Sequence, residues 1–138
     1  MALETRLLRQ VLRAHLIADT DVKALADTRI FGSHLSDADV QTVLYPLVVI
    51  QFLSGFARWH RGVQSQSFEL YAYSKADQDE ASELYDTVFN SYQQSRVELA
   101  GIPNVCGICR ETQRPVDGWN DKIGAWFARG RWVVNATG

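Results

Sequence analysis

The amino-acid sequence predicts an α+β fold, an antiparallel four-stranded sheet with two main helices packed on one face, in the order α-β-β-α-β-β. Three observations point there. Segments 3–18 and 74–92 repeat apolar residues at the three- and four-residue spacing of amphipathic helices. Segments 45–53, 65–73, 105–112 and 124–134 are enriched in β-branched and aromatic residues over strand-like lengths. Each helical segment is followed by a pair of these strands. With 138 residues, 46% of them hydrophobic, the chain suits one domain, residues 1–138, that buries a core without staples.

In the first helix Leu3, Leu7, Leu8, Val11, Leu12 and Leu16 form the apolar stripe, while Arg6, Arg9 and Arg13 make a basic stripe read as a solvated face. His15 borders the apolar side as a packing residue. Asp19 or Thr20 is placed to cap a short second helical piece, Val22–Ala26, and 27–32 turns into an extended segment. Ser36–Asp39 is polar and short, and reads as surface connection. The run from Tyr45 to Leu53 is apolar on both alternating faces, as a central strand requires. Residues 54–62 then break the pattern before Phe68, Leu70 and Ala72 mark the buried face of a second strand.

Ser74-Lys75-Ala76-Asp77 fits a capping box opening the second long helix, whose apolar face is Ala81, Leu84, Tyr85, Val88, Phe89 and Tyr92. Its early acids, Asp77, Asp79, Glu80 and Glu83, suit the positive end of the helix dipole and need no catalytic explanation. The last two strands are expected to pair as a hairpin around a long polar loop, Gln113–Lys122. In the final strand Trp126, Ala128, Trp132 and Val134 share one face, opposite Phe127, Arg129, Arg131 and Val133. With both helices on one side, the second face of the sheet is expected to lack cover.

Several function classes are disfavoured. A net charge of −2 supplies no broad basic field for DNA or an anionic membrane. The first residues lack a signal-peptide layout and no apolar run approaches a membrane span, so a soluble product made in a cytosol is expected. Cys106-Gly107-Ile108-Cys109 resembles a redox or zinc pair, but residues three apart in a strand point to opposite faces and no second pair completes a zinc site. The three histidines, at 15, 34 and 60, have no acid at metal-ligand spacing, and no nucleophile elbow, phosphate loop or dinucleotide fingerprint occurs. No catalytic residue, metal or cofactor is expected.

Burial leaves unexplained the aromatic and arginine content of the two loops. Phe56, Arg58, Trp59, His60 and Arg61 stand in the first, and Arg114, Asp117 and Trp119 in the second. Trp and Arg are enriched in interface cores, so these eight residues are the candidate subunit or partner interface.

The element order and several local patterns resemble the tail terminator, or tail completion, family of long-tailed phages and related gene transfer particles. The residues that carry the resemblance are Asp21-Val22-Lys23-Ala24-Leu25 with Arg29-Ile30-Phe31, Tyr45-Pro46-Leu47-Val48-Val49-Ile50, and Phe68-Glu69-Leu70-Tyr71-Ala72-Tyr73 leading into the helix from Ser74. The closing strand pair completes it. The chain departs from the common pattern in Gly32–Val43 and in its Trp-rich last strand.

The resemblance implies a non-enzymatic virion protein that forms a ring, typically hexameric, on the last ring of tail-tube protein. Such a ring stops tube growth and offers a docking surface to the head connector, with DNA passing through its lumen without specific binding. Its implied partners are therefore itself, the tail tube protein and the head–tail connector or stopper. It would be assembled in the host cytoplasm and reside in the tail or neck of the virion, with no membrane involved. Three rivals stand beside it: a head-completion or stopper protein on the portal side of the neck, a small thiol or metal-binding protein using Cys106 and Cys109, and a nucleic-acid-binding module using the arginine stripe.

Overall fold

The protein, seen in a computed structural model, is described over residues 5–32, 43–53, 58–60, 63–93, 97–98 and 106–137. Its elements in chain order are α1 (Thr5–Ala18), α2 (Thr20–Ala26), β1 (Ile30–Phe31), β2 (Leu47–Phe52), β3 (Arg58–His60), β4 (Val63–Ser74), α3 (Gln78–Gln93), β5 (Val97–Glu98), β6 (Cys106–Asn120) and β7 (Ala125–Thr137). The strands form one mixed sheet ordered β1-β2-β4-β7-β6-β5, with β3 also paired to β4. The α+β class holds. The sheet has seven described strands where four were expected, and β1 lies parallel to β2.

Two further corrections bear on function. The polar stretch 113–122, expected to be a loop, is strand as far as Asn120, paired to β7 out to Asn120↔Ala125. Register shifts between Glu111 and Gln113 and between Gln113 and Val116 absorb the extra residues. Pro115 falls within that irregularity, where the ladder does not need its missing N–H. The stretch 54–62 likewise contains β3, which pairs Arg58↔Ser65 and His60↔Val63 and so prolongs the β2 side of β4.

Helix ends follow local capping chemistry. The Asp19 carboxylate accepts the amides of Asp21 (2.9 Å) and Val22 (3.1 Å) and starts α2. The cap of α3 is Asp77, not Ser74, because Asp77 Oδ1 accepts the Glu80 amide at 2.7 Å. Ser74 Oγ, one turn earlier, accepts the amides of Ala76 at 3.0 Å and, as expected, of Asp77 at 3.4 Å, and donates to Glu80 Oε1 at 2.8 Å, fastening the strand-to-helix corner. Strand β2 begins at Leu47, after Pro46, whose carbonyl accepts from Arg29 Nε at 2.9 Å. The piece Ser36–Asp39 and His34 lie outside the described residues.

The main core lies between the helices and one sheet face. Leu8, Leu12 and Leu16 of α1 and Leu84, Val88 and Tyr92 of α3 are buried in it against Val48, Ile50, Phe68, Leu70 and Trp132. Trp132 is wholly buried and sits at its centre, 5.7 Å from the Tyr92 ring, 5.6 Å from Phe89 and 6.3 Å from Phe68. The opposite face is not bare, contrary to expectation. There Leu47, Val49, Tyr73 and Ala125 are buried, with Phe31, Val43, Tyr45, Tyr71, Ile123 and Phe127 packed around them.

Candidate interaction surface

The eight predicted contact residues do not converge. Phe56 and Arg61 lie outside the described residues. Arg58, Trp59 and His60 are described as the backbone of β3, and Arg114 as backbone in the irregular part of β6. Asp117 and Trp119 are exposed on the β6–β7 hairpin. Along the β4–β7 ladder the register runs from Val63↔Thr137 to Ser74↔Trp126. The β3–β4 hairpin end and the β6–β7 turn therefore stand at opposite ends of a 12-residue strand, about 36 Å apart at roughly 3.3 Å per residue.

The β6–β7 end is built from the hairpin and α3. Its turn is fixed by Asn120, whose Oδ1 accepts the amides of Lys122 (3.0 Å) and Ile123 (3.1 Å) while its carbonyl accepts Gly124 N at 2.7 Å. Gly124 takes φ 71°, a left-handed conformation that glycine adopts without steric penalty. Just inside the turn Trp119 meets Trp126 edge to face at 4.9 Å, yet remains 47% exposed. Val116 is 45% exposed on the other face of the ribbon. Large half-exposed apolar side chains on a hairpin suit contact with another surface.

Beside the hairpin runs a groove of about 280 Å³ lined by Ser82, Tyr85 and Asp86 of α3 and by Pro115, Asp117 and Ala128 of the sheet. Two contacts set its width. Gln78 Nε2 donates to the Phe127 carbonyl at 3.0 Å and ties the start of α3 to β7. Deeper in, the buried Tyr85 hydroxyl donates to Glu111 Oε2 at 2.6 Å and accepts from Trp132 Nε1 at 3.0 Å. Burial, reinforced by the Glu111 bond, raises the Tyr85 pKa far above that of a free phenol. This tyrosine stays neutral, as a structural strut.

The groove mouth is acidic. Asp86 and Asp117 are both exposed there, and Asp86 continues an exposed stripe on α3 with Asp79 and Glu83, at helical steps of four and three. Sequence reading missed Asp86, Val116 and Trp126 as parts of a surface. The available signal was that acidic spacing, which extends beyond the first turn where the helix dipole accounts for it.

Other predicted features resolve into packing. His15 Nε2 is hydrogen-bonded to the Ser91 hydroxyl at 3.1 Å and lies within 3.2 Å of its carbonyl, and its ring stacks on Tyr92 at 5.6 Å. Cys109 is a free, buried thiol of the main core, and burial pushes its pKa up to about 12. The pairing of β6 with β7 is unbroken from Cys106 to Cys109, so the two positions fall on alternate faces of the pleat. Two arginines of the stripe, Arg9 and Arg13, are a correction, and the side chain of Arg6 lies outside the described residues. Arg9 lies over the Phe52 ring, 5.1 Å from its centroid, and Arg13 Nε donates to the Ile30 carbonyl. Both are partly buried and hold α1 on the sheet.

No protein-family model matches the chain, and no curated protein matches it. Among solved structures, the chain is similar in fold to one in the structure titled "Virion of native gene transfer agent (GTA) particle". The TM-score is 0.65 over 95% of each chain, at 13% identity. The likeness is one of fold, extending over nearly the whole of each chain.

Proposed function

We propose that this protein is a structural subunit of a phage-like particle, and within it the ring, hexameric in the family it resembles, that caps the head-proximal end of the tail tube and joins it to the head connector. The observation that carries the reading is the agreement in fold, over 95% of both chains, with a chain of a gene transfer agent virion. The sequence resemblance to tail terminators points to the same kind of particle from separate features. Its surface suits contact. Exposed aromatic and acidic residues sit at one end of a long sheet and a cationic hairpin at the other, and ring closure requires two different faces on each subunit. The role is mechanical and not catalytic, with the tube, the connector and further copies of the chain as partners, and DNA passing through the lumen.

Native mass measurement of the purified protein, alone and after mixing with tail tubes of the same particle, tests this. A defined multiple of the 15.6 kDa chain that attaches to one end of the tubes is the expected result. A strict monomer that ignores tubes overturns the reading.

A further inference from the structure

We infer that the acidic face of α3 in one copy of this chain packs against the arginine-bearing face of the sheet in a second copy, in a head-to-tail contact. This rests on the ring reading and names the two faces that meet. Phe127, Arg129, Arg131 and Val133 of β7 point away from the helices, because Ala128, Trp132 and Val134 between them are buried in the main core. On that side the register sets Val116 beside Arg129, Gln113 beside Arg131 and Arg110 beside Val133. Arg110, Gln113, Val116 and Arg131 are exposed there, and the Arg129 side chain is 43% exposed while it pairs with Glu69 at 3.7 Å. Among the described residues of β4, β6 and β7, Arg110, Arg129 and Arg131 stand on this face against a single acid, Glu69.

The opposite charge lies on the other side of the same subunit. Helix α3 contains no lysine or arginine, and its Asp79, Glu83 and Asp86 are all exposed. The two rows have similar lengths. Along α3 the second and third carboxylates fall about 6 and 10 Å beyond Asp79, and along β7 Arg131 and the Val133 level that Arg110 shares fall about 7 and 13 Å beyond Arg129. The sheet and its core separate the rows, so one copy cannot join them itself. A second copy, with its α3 laid on that sheet face, brings carboxylates to the guanidinium groups and covers the exposed Val116. The contact is heterologous, leaving each copy one free face for the next. A second copy is favoured over nucleic acid because it supplies anions at this spacing, whereas a net charge of −2 gives the chain no overall attraction for a phosphate backbone.

Three variants test the pairing by sedimentation and native mass: Glu83→Lys with Asp86→Lys, Arg110→Glu with Arg131→Glu, and all four together. Circular dichroism checks that each folds, and because all four side chains are exposed the substitutions leave the core intact. Each double reversal is expected to weaken self-association about tenfold or more, and the fourfold variant to recover most of the loss because the charges are exchanged across the contact. If the wild type assembles and either double variant assembles equally well, this contact is wrong while the ring reading stands. If both double variants fall apart and the fourfold variant is no better, the two faces do not meet each other. Salt-dependent retention of a DNA duplex by the wild type, lost in the arginine pair alone, would make the sheet face a phosphate surface and overturn the contact. A wild type that stays monomeric at every concentration, alone and with tail tubes, overturns both the contact and the ring reading.

Discussion

The hydroxyl of Tyr85 occupies the space that a side chain at Gly130 would fill. A Cβ built on Gly130 overlaps that oxygen and comes within 2.8 Å of the Tyr85 Cζ. The phenol cannot swing aside without releasing Glu111 and Trp132. Gly130→Ala is therefore expected to cost about 2–3 kcal/mol, the upper range for overpacking. Urea unfolding measures it, and a loss below about 0.5 kcal/mol would show that α3 shifts freely over β7.

Tyr85→Phe removes the same oxygen from the other side. The indole N–H of Trp132, wholly buried, then loses its acceptor, at a cost of about 1–3 kcal/mol for an orphaned buried donor. In this background Gly130→Ala is expected to cost less than in the wild type, since the closest clash is gone. Unfolding of the four members of the cycle gives the coupling, and strict additivity would deny that the two residues compete for one space.

The legible parts of this fold are those encoded by local period. The stripes of α1 and α3, including Leu8, Leu12, Leu84 and Tyr92, follow from spacing alone, as do the buried faces of β2 and β4. The strand character of 113–120 was illegible because Pro115, Gly118 and the polar Gln113, Arg114, Asp117 and Asn120 resemble a loop, and only pairing with β7, from Gln113↔Arg131 to Asn120↔Ala125, makes them a strand. Strands β1 and β5, of two residues each, are too short for any pattern. Half the candidate surface was visible: Trp119 and Asp117 stood out as an aromatic and an acid in polar surroundings. Asp86 did not, because an acid on a helix looks solvated until the fold sets a groove beside it.

Asp19 makes stability depend on pH at the acid end. Burial opposes its charge, but hydrogen bonds from the Ser91 hydroxyl and the amides of Val22 and Asp21, with His15 nearby, outweigh it and hold its pKa below the ordinary 3.8. The charged form is thus favoured in the fold. Its contribution is full above pH 3.8 and is lost as pH falls through the depressed native pKa. Asp19→Ala is expected to cost about 1 kcal/mol at pH 7, as loss of a helix cap does, and markedly less near pH 2. An unchanged difference between the two pH values, read from urea midpoints, would contradict this.

The Cys109 thiol, buried and with its pKa pushed up to about 12, has almost no thiolate at neutral pH and no access to reagent. Alkylation at Cys109 is expected to be undetectable in the folded protein on a timescale that labels free cysteine fully, and rapid in strong denaturant. Peptide mass mapping follows the site. Rapid labelling of the native chain at Cys109 would place a reactive thiol in this core and reopen the thiol-enzyme reading.

Arg13 and Arg9 test whether the basic stripe is architecture or a nucleic-acid surface. Arg13 Nε bonds the carbonyl of Ile30, the first residue of β1, and Arg9 packs across Phe52 at the end of β2. The two side chains reach different strands from one helix, so they set how α1 lies on the sheet. Arg13→Ala is expected to cost about 1 kcal/mol, a charge-assisted bond reduced for its partial exposure. Arg9→Met, which keeps the stem over Phe52 and removes the charge, is expected to cost less than Arg9→Ala, which loses both. If these arginines are structural, none of the variants changes retention of the folded protein on immobilised DNA at low salt. Retention that falls with each substitution, by an amount that shrinks as salt is raised, would mean that guanidinium groups packed on Phe52 and β1 also reach phosphate.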